Sequence, residues 1–174
     1  MTQKSLTAVY LRRGKEESLE RCHPWIFSGA IERITEGLKP LSEGDIVDVY
    51  TKQGNFIARG HYQIGSIAVR VLSFEEESID QAWWNRRIAA AKALRESLGM
   101  VDNAQTSCYR LIHGEGDLLP GLVVDIYERT AVVQCHSVGM YHSRSQIAEA
   151  IREAYGDRIE AIYDKSSQTL PYKA

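Results

Sequence analysis

The chain has 174 residues, of which 44% are hydrophobic and 25% are charged, with four prolines and 13 glycines. This composition is that of a folded globular protein and excludes a disordered or collagen-like chain. Apolar stretches such as Gly121–Ile126 are too short to cross a bilayer, and no secretory signal follows Lys4. We therefore expect a cytoplasmic protein of one or two compact domains, with no membrane partner.

The net charge of −2 is unevenly distributed along the chain. Residues 1–74 carry 10 Lys and Arg against 8 Asp and Glu, whereas residues 75–174 carry 11 against 15. A polyanion should therefore meet the first half of the chain. The cysteines Cys22, Cys108 and Cys135 form an odd set without Cys-x-x-Cys spacing, which argues against a disulfide framework and against a structural zinc site.

Short apolar segments separated by turns that contain Gly or Asn predict a β-rich domain over residues 1–74. The alternation of apolar and other residues is clearest in the last of these segments. One short helix is expected near Lys15–Arg21. The predicted strands are Thr7–Leu11, Trp25–Ile31, Asp45–Tyr50, Phe56–Tyr62 and Ile67–Phe74.

Residues 75–100 are predicted to form a linker helix, because Ser78–Asp80 offers capping side chains and Gly99 follows a run of good helix formers. Residues 101–174 then predict a small α+β domain of EEHEE-like type. The polar end, Asp164–Ala174, contains no closing element, so we expect this domain to be truncated. Its predicted elements are strands Tyr109–His113, Leu122–Tyr127, Ala131–His136 and Glu160–Tyr163 and a helix Ser143–Tyr155.

A cluster of cations, Arg12-Arg13-Gly14-Lys15, ends the first predicted strand and opens the first helix. Exposed cations and helix amides at such a place can both face a phosphate backbone. The alternative is an ordinary solvated charge cluster.

Aromatic and cationic residues recur in the following strands of the first domain. His23-Pro24-Trp25-Ile26-Phe27 could form a platform for a splayed base, but Trp25 and Phe27 share one face of a strand, so we expect them to pack in the core. Arg59, Tyr62 and Arg70 lie on two neighbouring predicted strands, where a barrel could bring them close to Arg12 and Arg13.

In the second half, Arg110–Leu122 contains a Gly-x-Gly, but Pro120-Gly121 leads into a strand and not into a helix, unlike a dinucleotide fingerprint. Glu115 and Asp117 are expected either in an exposed turn or on a surface that meets a further domain. The sequence shows no metal-binding or nucleophile motif, so we predict no catalytic, cofactor-binding or metal-binding residue.

Several of these segments together resemble the PUA domain and following region of the bacterial ribosomal RNA large-subunit methyltransferase I family. In the first half the resemblance rests on His23–Ala30, Gly44–Val49 and Phe56–Gly60. It continues through Tyr109–Asp125 and Ile162–Asp164 in the same order, and so covers nearly the whole chain.

The resemblance implies an N-terminal PUA pseudo-barrel, a central α+β domain and a Rossmann-like domain that uses S-adenosylmethionine to methylate C5 of a cytidine in 23S ribosomal RNA. The Rossmann-like domain is absent from this sequence. Methylation at C5 also needs a cysteine thiolate that adds to cytosine C6, and none of the three cysteines lies in a sequence context typical of such a nucleophile. We therefore expect a part that binds ribosomal RNA, needs no cofactor itself and acts with a missing catalytic domain.

A free-standing PUA-type RNA-binding module, or a module that binds a protein, is the alternative function. The expected RNA-binding residues are Arg12, Arg13, Lys15, His23, Arg59, Tyr62 and Arg70. The residues expected to face another domain or an active site are Arg110, Glu115 and Asp117.

Overall fold

A computed structural model describes residues 6–170 of the chain. The chain folds into two compact units, of which the first ends at Glu77 and the second begins at Ser78. In the polar end Asp164–Ala174, which was expected to contain no closing element, Ser166–Gln168 forms a 3₁₀ turn and the Ser166 hydroxyl accepts a hydrogen bond from the Cys135 amide at 3.0 Å. Residues 171–174 lie outside the described part. Among residues 6–170 no helix is both long enough and apolar enough to cross a membrane.

The first unit is a six-stranded β-sheet that curls into a half-barrel. Its elements are β1 (Thr7–Leu11), α1 (Glu17–Glu20), β2 (Trp25–Phe27), β3 (Ile31–Thr35), β4 (Ile46–Tyr50), β5 (Phe56–Tyr62) and β6 (Ile67–Ser73). The strands lie in the order β2-β6-β5-β4-β1-β3. β1 and β4 run parallel, and the other neighbours are antiparallel.

The core of the first unit follows the two-residue period of its strands. Val9 and Leu11 of β1 and Val47 and Val49 of β4 point inward and are buried, since alternate residues of a strand share a face. The predicted strand Trp25–Ile31 is shorter in the structure: β2 ends at Phe27, and a 3₁₀ turn at Ser28–Ala30 separates it from β3, which was not predicted. The exposed edge strand β3 lacks the apolar alternation that would have predicted it.

The second unit is a four-stranded sheet accompanied by three helices. Its elements are α2 (Gln81–Ser97), β7 (Cys108–His113), β8 (Leu122–Tyr127), β9 (Thr130–Cys135), α3 (Val138–His142), α4 (Arg144–Tyr155) and β10 (Ala161–Asp164). The sheet order is β10-β9-β8-β7, with β10 parallel to β9. The α+β class is confirmed, but α2 precedes the first strand of the unit and α3 and α4 follow its third strand, whereas an EEHEE order would place a helix after the second strand.

Local chemistry fixes the ends of α2, the helix that the sequence analysis assigned to a linker. The Asp80 side chain accepts a hydrogen bond from the Trp83 amide at 2.9 Å, and Gly99 adopts φ +67° after the last turn. The helix packs against α4 and β7, so it is an integral part of the second unit. α4 contributes the buried residues Ile147 and Ile151.

Candidate nucleic-acid interface

The predicted cation cluster lies on the surface, in the turn from β1 to α1. Arg12, Arg13 and Lys15 are all exposed, and Gly14 adopts φ +77° to turn the chain. Within residues 6–170 none of the three cations has a side-chain hydrogen bond or an ion pair. The Arg12 amide donates to the Ala30 carbonyl at 2.8 Å, so this turn lies beside the end of β2.

β2 presents aromatic rings to the surface and buries only its central residue. Ile26 is 3% exposed, whereas Phe27 is 50% exposed and Trp25 is half-buried. The expectation that Phe27 packs in the core is therefore wrong. The alternation of β2 points Ile26 inward, and so directs both aromatic neighbours outward.

Three rings, the first just before β2 and the other two on it, follow one another in edge-to-face contact. The His23 and Trp25 ring centroids are 5.8 Å apart, and those of Trp25 and Phe27 are 6.4 Å apart, with interplanar angles of 84° and 89°. The Trp25 amide donates to Nδ1 of exposed His23 at 3.2 Å. A neutral His23 ring therefore carries its proton on Nε2.

Arg70 also belongs to this surface, because β6 pairs with β2 in a register that places Arg70 opposite Trp25. Residues directly opposite each other share a face of the sheet. The half-buried Arg70 guanidinium donates to Gln63 Oε1 at 2.8 Å. The structure thus brings five of the predicted residues to the β1–α1 turn and the neighbourhood of β2: Arg12, Arg13, Lys15, His23 and Arg70.

Arg59 lies elsewhere and is 3% exposed. Its Nε donates to Asp48 Oδ1 at 2.6 Å and its Nη2 to Asp48 Oδ2 at 3.0 Å, while Nη1 donates to the carbonyl of Glu77. All its nitrogens are therefore engaged within the first unit, and the geometry does not present Arg59 to a phosphate. Tyr62 is half-buried and packs against the core of the first unit.

In the second unit the Gly114–Asp117 segment is a 3₁₀ turn that a buried ion pair stabilises. Arg95 of α2 donates to both oxygens of Asp117, at 2.8 Å for Nη2 to Oδ2, and the side chains of Arg95 and Asp117 are only 10% and 4% exposed. The His113 amide donates to Asp117 at 2.6 Å. Asp117 is therefore not an exposed turn carboxylate. Sequence reasoning missed Arg95, which in the sequence is simply a cation near a helix C-terminus.

Of the other two residues predicted for this region, Arg110 lies on β7 and Glu115 lies on the turn. Exposed Arg110 makes a bidentate pair with Asp125, at 2.8 and 3.0 Å, and this raises the pKa of Arg110 above its usual value. Glu115 is half-buried. Nearby, a groove of about 660 Å³ is lined by Arg110 and by three large exposed apolar side chains. These three are Leu94, Leu98 and Met100.

The half-barrel fold of the first unit agrees with the protein family that its sequence matches. Residues 9–74 match the family described as a PUA-like domain, so the half-barrel is a PUA-like domain. Over most of its length the chain is also homologous to proteins named ribosomal RNA large subunit methyltransferase I, and the resemblance predicted from the sequence is confirmed. It is 40% identical over 169 residues to the protein of Photobacterium profundum, and 39% identical over 167 residues to that of Erwinia tasmaniensis.

These matches cover 96% and 95% of this chain but only 41% and 40% of the two relatives. The chain thus spans about two fifths of the curated relatives it matches. A solved structure of a proposed SAM-dependent methyltransferase from Streptococcus mutans has a TM-score of 0.74 and 18% identity. The match covers 91% of this chain and 40% of the chain in that structure. At this sequence identity the match supports the similarity in fold alone.

Proposed function

We propose that this chain is the RNA-recognition and positioning part of a methyltransferase that modifies C5 of a cytidine in 23S ribosomal RNA. In this proposal the chain binds ribosomal RNA and does not itself catalyse. The parent protein supplies S-adenosylmethionine chemistry from a further domain and acts in the cytoplasm. The observation that carries the proposal is the cluster of exposed cations Arg12, Arg13 and Lys15 on a PUA-like domain, which have no ion pair among the described residues.

The surface chemistry suits RNA, because cations without a carboxylate partner release counterions from phosphates and exposed rings stack on bases. The relatives are named ribosomal RNA methyltransferases, which makes ribosomal RNA the expected partner. Buried Arg59 takes no part in the proposed contact. Arg70 contributes from β6 and His23 from just before β2, and half-buried Tyr62 is a weaker candidate.

The Gly114–Asp117 turn does not have the form of a site for the methyl donor. A donor site of this class needs a glycine-rich loop that runs from a strand into a helix. Here the Gly114–Asp117 turn leads through Leu118 in the left-handed region, φ +56°, into strand β8. We assign the donor to the parent protein.

The test is a titration of a labelled ribosomal RNA fragment by fluorescence anisotropy at several salt concentrations. Replacing Arg12 and Arg13 together by Ala should weaken binding to every sequence. It should also reduce the slope of log affinity against log salt by about 0.7–0.9 for each phosphate that the variant no longer neutralises.

The matched control is the double substitution Lys39→Ala and Lys52→Ala. It also removes two cations from the first unit, but these are already paired with Asp45 and Glu32. The control should retain affinity and slope. If the Arg12 and Arg13 variant behaves like the control, the RNA surface is not where we propose it.

A second surface, in the second unit, is proposed to meet further polypeptide of the parent. The observation that favours it is the groove with exposed Leu94, Leu98 and Met100 beside Arg110, since clustered exposed apolar side chains mark interaction sites. Near this groove, Glu115 lies on the Gly114–Asp117 turn, and Asp117 anchors the turn to α2 through its ion pair with Arg95. The coding sequence beyond residue 174 distinguishes this proposal from a free-standing module. If the chain is a free-standing module, we expect no methyltransferase domain to be encoded there.

A further inference from the structure

The four-stranded sheet of the second unit has one face towards its helices and one face open to solvent. Tyr109 pairs with buried Ile126, and its hydroxyl lies 2.9 Å from the Tyr155 hydroxyl of α4, so the buried alternate residues face the helices. The other alternate residues stay at least partly exposed. We call the surface that they form the open face. It includes Arg110 of β7, Val123, Asp125 and Tyr127 of β8, Val132 of β9 and Tyr163 of β10.

The register of the strands arranges the open face in rows. Tyr163 of β10 lies opposite Val132 of β9. Val132 in turn lies opposite Asp125, and Asp125 lies opposite Arg110. Residues directly opposite each other share a face of the sheet. One row therefore crosses all four strands, with an aromatic ring at one end and an ion pair at the other.

Two tyrosines present their rings on the open face. Tyr127 is 52% exposed and Tyr163 is 60% exposed. They stand two strands apart and in neighbouring rows, since the row of Tyr127 ends at Ala161, two positions before Tyr163. Their Cα atoms are therefore about 12 Å apart. One base cannot contact both rings, so each ring is available to a separate base.

From this arrangement we propose that the open face binds single-stranded RNA, with one base stacked on Tyr127 and a second base stacked on Tyr163. Unpaired bases stack on the aromatic side chains of four-stranded sheets in single-stranded RNA recognition. The inference rests on the proposed function and adds to it a contact in the second unit. This contact selects unpaired nucleotides, whereas the exposed cations of the first unit meet phosphates of any RNA.

The charges of the open face suit a phosphate backbone. The carboxylate of Asp125 is neutralised by its bidentate contact with Arg110, at 2.8 and 3.0 Å. Lys165 is exposed and has no ion pair within residues 6–170. Its amide continues the ladder to β9 by donating to the Val133 carbonyl at 2.8 Å, so its side chain lies on the same side as that of Tyr163. Two cations thus accompany one carboxylate.

The same charges favour RNA over a covering polypeptide. Charged residues are depleted from the buried centres of protein interfaces. A polypeptide on the open face would have to desolvate the Arg110 and Asp125 pair, which is costly, and would leave Lys165 without a counter-charge unless it brought a carboxylate. An RNA strand brings a phosphate for Lys165 and contacts the rings with its bases.

The test measures binding of a short single-stranded ribosomal RNA fragment to the whole chain by fluorescence anisotropy. Tyr127→Ala and Tyr163→Ala should each weaken binding about 5- to 150-fold, the range expected for one stacked base, with an unchanged salt slope. Tyr127→Phe and Tyr163→Phe keep the rings and should retain the affinity. A duplex of the same length has its bases stacked inside, so the Ala variants should bind it as wild type does.

Tyr141→Ala is the matched control, because Tyr141 is a tyrosine of the same unit that lies on α3 and not on the sheet. It should bind the single strand like wild type. Wild-type affinity of both Ala variants on the sheet, with the Arg12 and Arg13 salt dependence preserved, would overturn the sheet contact and leave the proposed function standing. No binding of RNA by wild type would overturn both.

Photocrosslinking of wild type tests the proposal even where an Ala variant does not fold. A single-stranded RNA that carries 5-bromouridine should form adducts on the peptides that contain Tyr127 and Tyr163, detected by mass spectrometry. Adducts confined to the first unit would contradict the proposal. Hydroxyl-radical footprinting of the longer parent protein without RNA tests the other occupant. Protection of both rings there would show that polypeptide covers the open face and would also contradict the proposal.

Discussion

Arg95 and Asp117 form a buried bidentate ion pair that fastens the Gly114–Asp117 turn to helix α2. Each is compensated by the other and by a backbone group, the Arg110 carbonyl for Arg95 and the His113 amide for Asp117. Removal of one partner of a buried pair leaves an uncompensated charge. The pair therefore stabilises the second unit.

Asp117→Ala should accordingly destabilise the second unit by about 3–5 kcal/mol, because Arg95 would stay buried without its partner. Urea unfolding measures the total loss of stability, and hydrogen exchange of the His113 amide reports the local opening. Asp125→Ala is the control, since its partner Arg110 is exposed and such pairs contribute about 0–1 kcal/mol. Equal stability of the Asp117 and Asp125 variants would show that the buried pair is not needed.

Arg59→Ala should destabilise the first unit by a similar amount, about 3–5 kcal/mol, because it leaves Asp48 buried and unpaired. The folded variant should bind RNA with the wild-type salt slope, since the guanidinium faces Asp48 and the Glu77 carbonyl. Thermal unfolding and anisotropy titration check the two parts. A reduced salt slope with unchanged stability would place Arg59 in the RNA contact after all.

Gly60→Ala should destabilise the first unit by about 1–3 kcal/mol or more. A Cβ at Gly60 would lie 2.2 Å from the Arg70 carbonyl oxygen and 2.9 Å from the Val71 Cα, and both are backbone atoms that cannot rotate away. Gly29→Ala is the control, because its Cβ would meet open space. Circular dichroism during urea unfolding compares them, and two equally stable variants would contradict the close approach of β5 and β6.

Cys135 should resist thiol reagents in the folded protein while Cys22 and Cys108, both exposed, react. Burial raises the pKa of Cys135 to about 11, against 9.0 for an ordinary thiol, so its thiolate fraction near pH 8 falls about 100-fold. Because the folded pKa is the higher one, this thiol favours folding below pH 9 and the contribution fades as the pH rises towards 11. A disulfide reagent at pH 8 should label two thiols rapidly, and rapid labelling of all three would contradict the burial.

The sequence by itself determined the strand-rich first half, the two long helices and the family resemblance. It could do so because these depend on local periodicity, capping residues such as Asp80 and motifs that are contiguous in the chain. β3 escaped sequence prediction for the complementary reason, since an exposed edge strand has no apolar face to bury.

Only the tertiary structure decided which charged and aromatic residues reach solvent. Arg59 and Arg12 look alike in the sequence, yet one is buried on Asp48 and the other is exposed. Likewise, Ile26 and Phe27 are both apolar neighbours, and only the face that β2 turns to the core of the first unit decides which one is buried. Charge compensation and burial depend on residues distant in the chain, here 11 positions apart for Arg59 and Asp48, and the local pattern does not encode them.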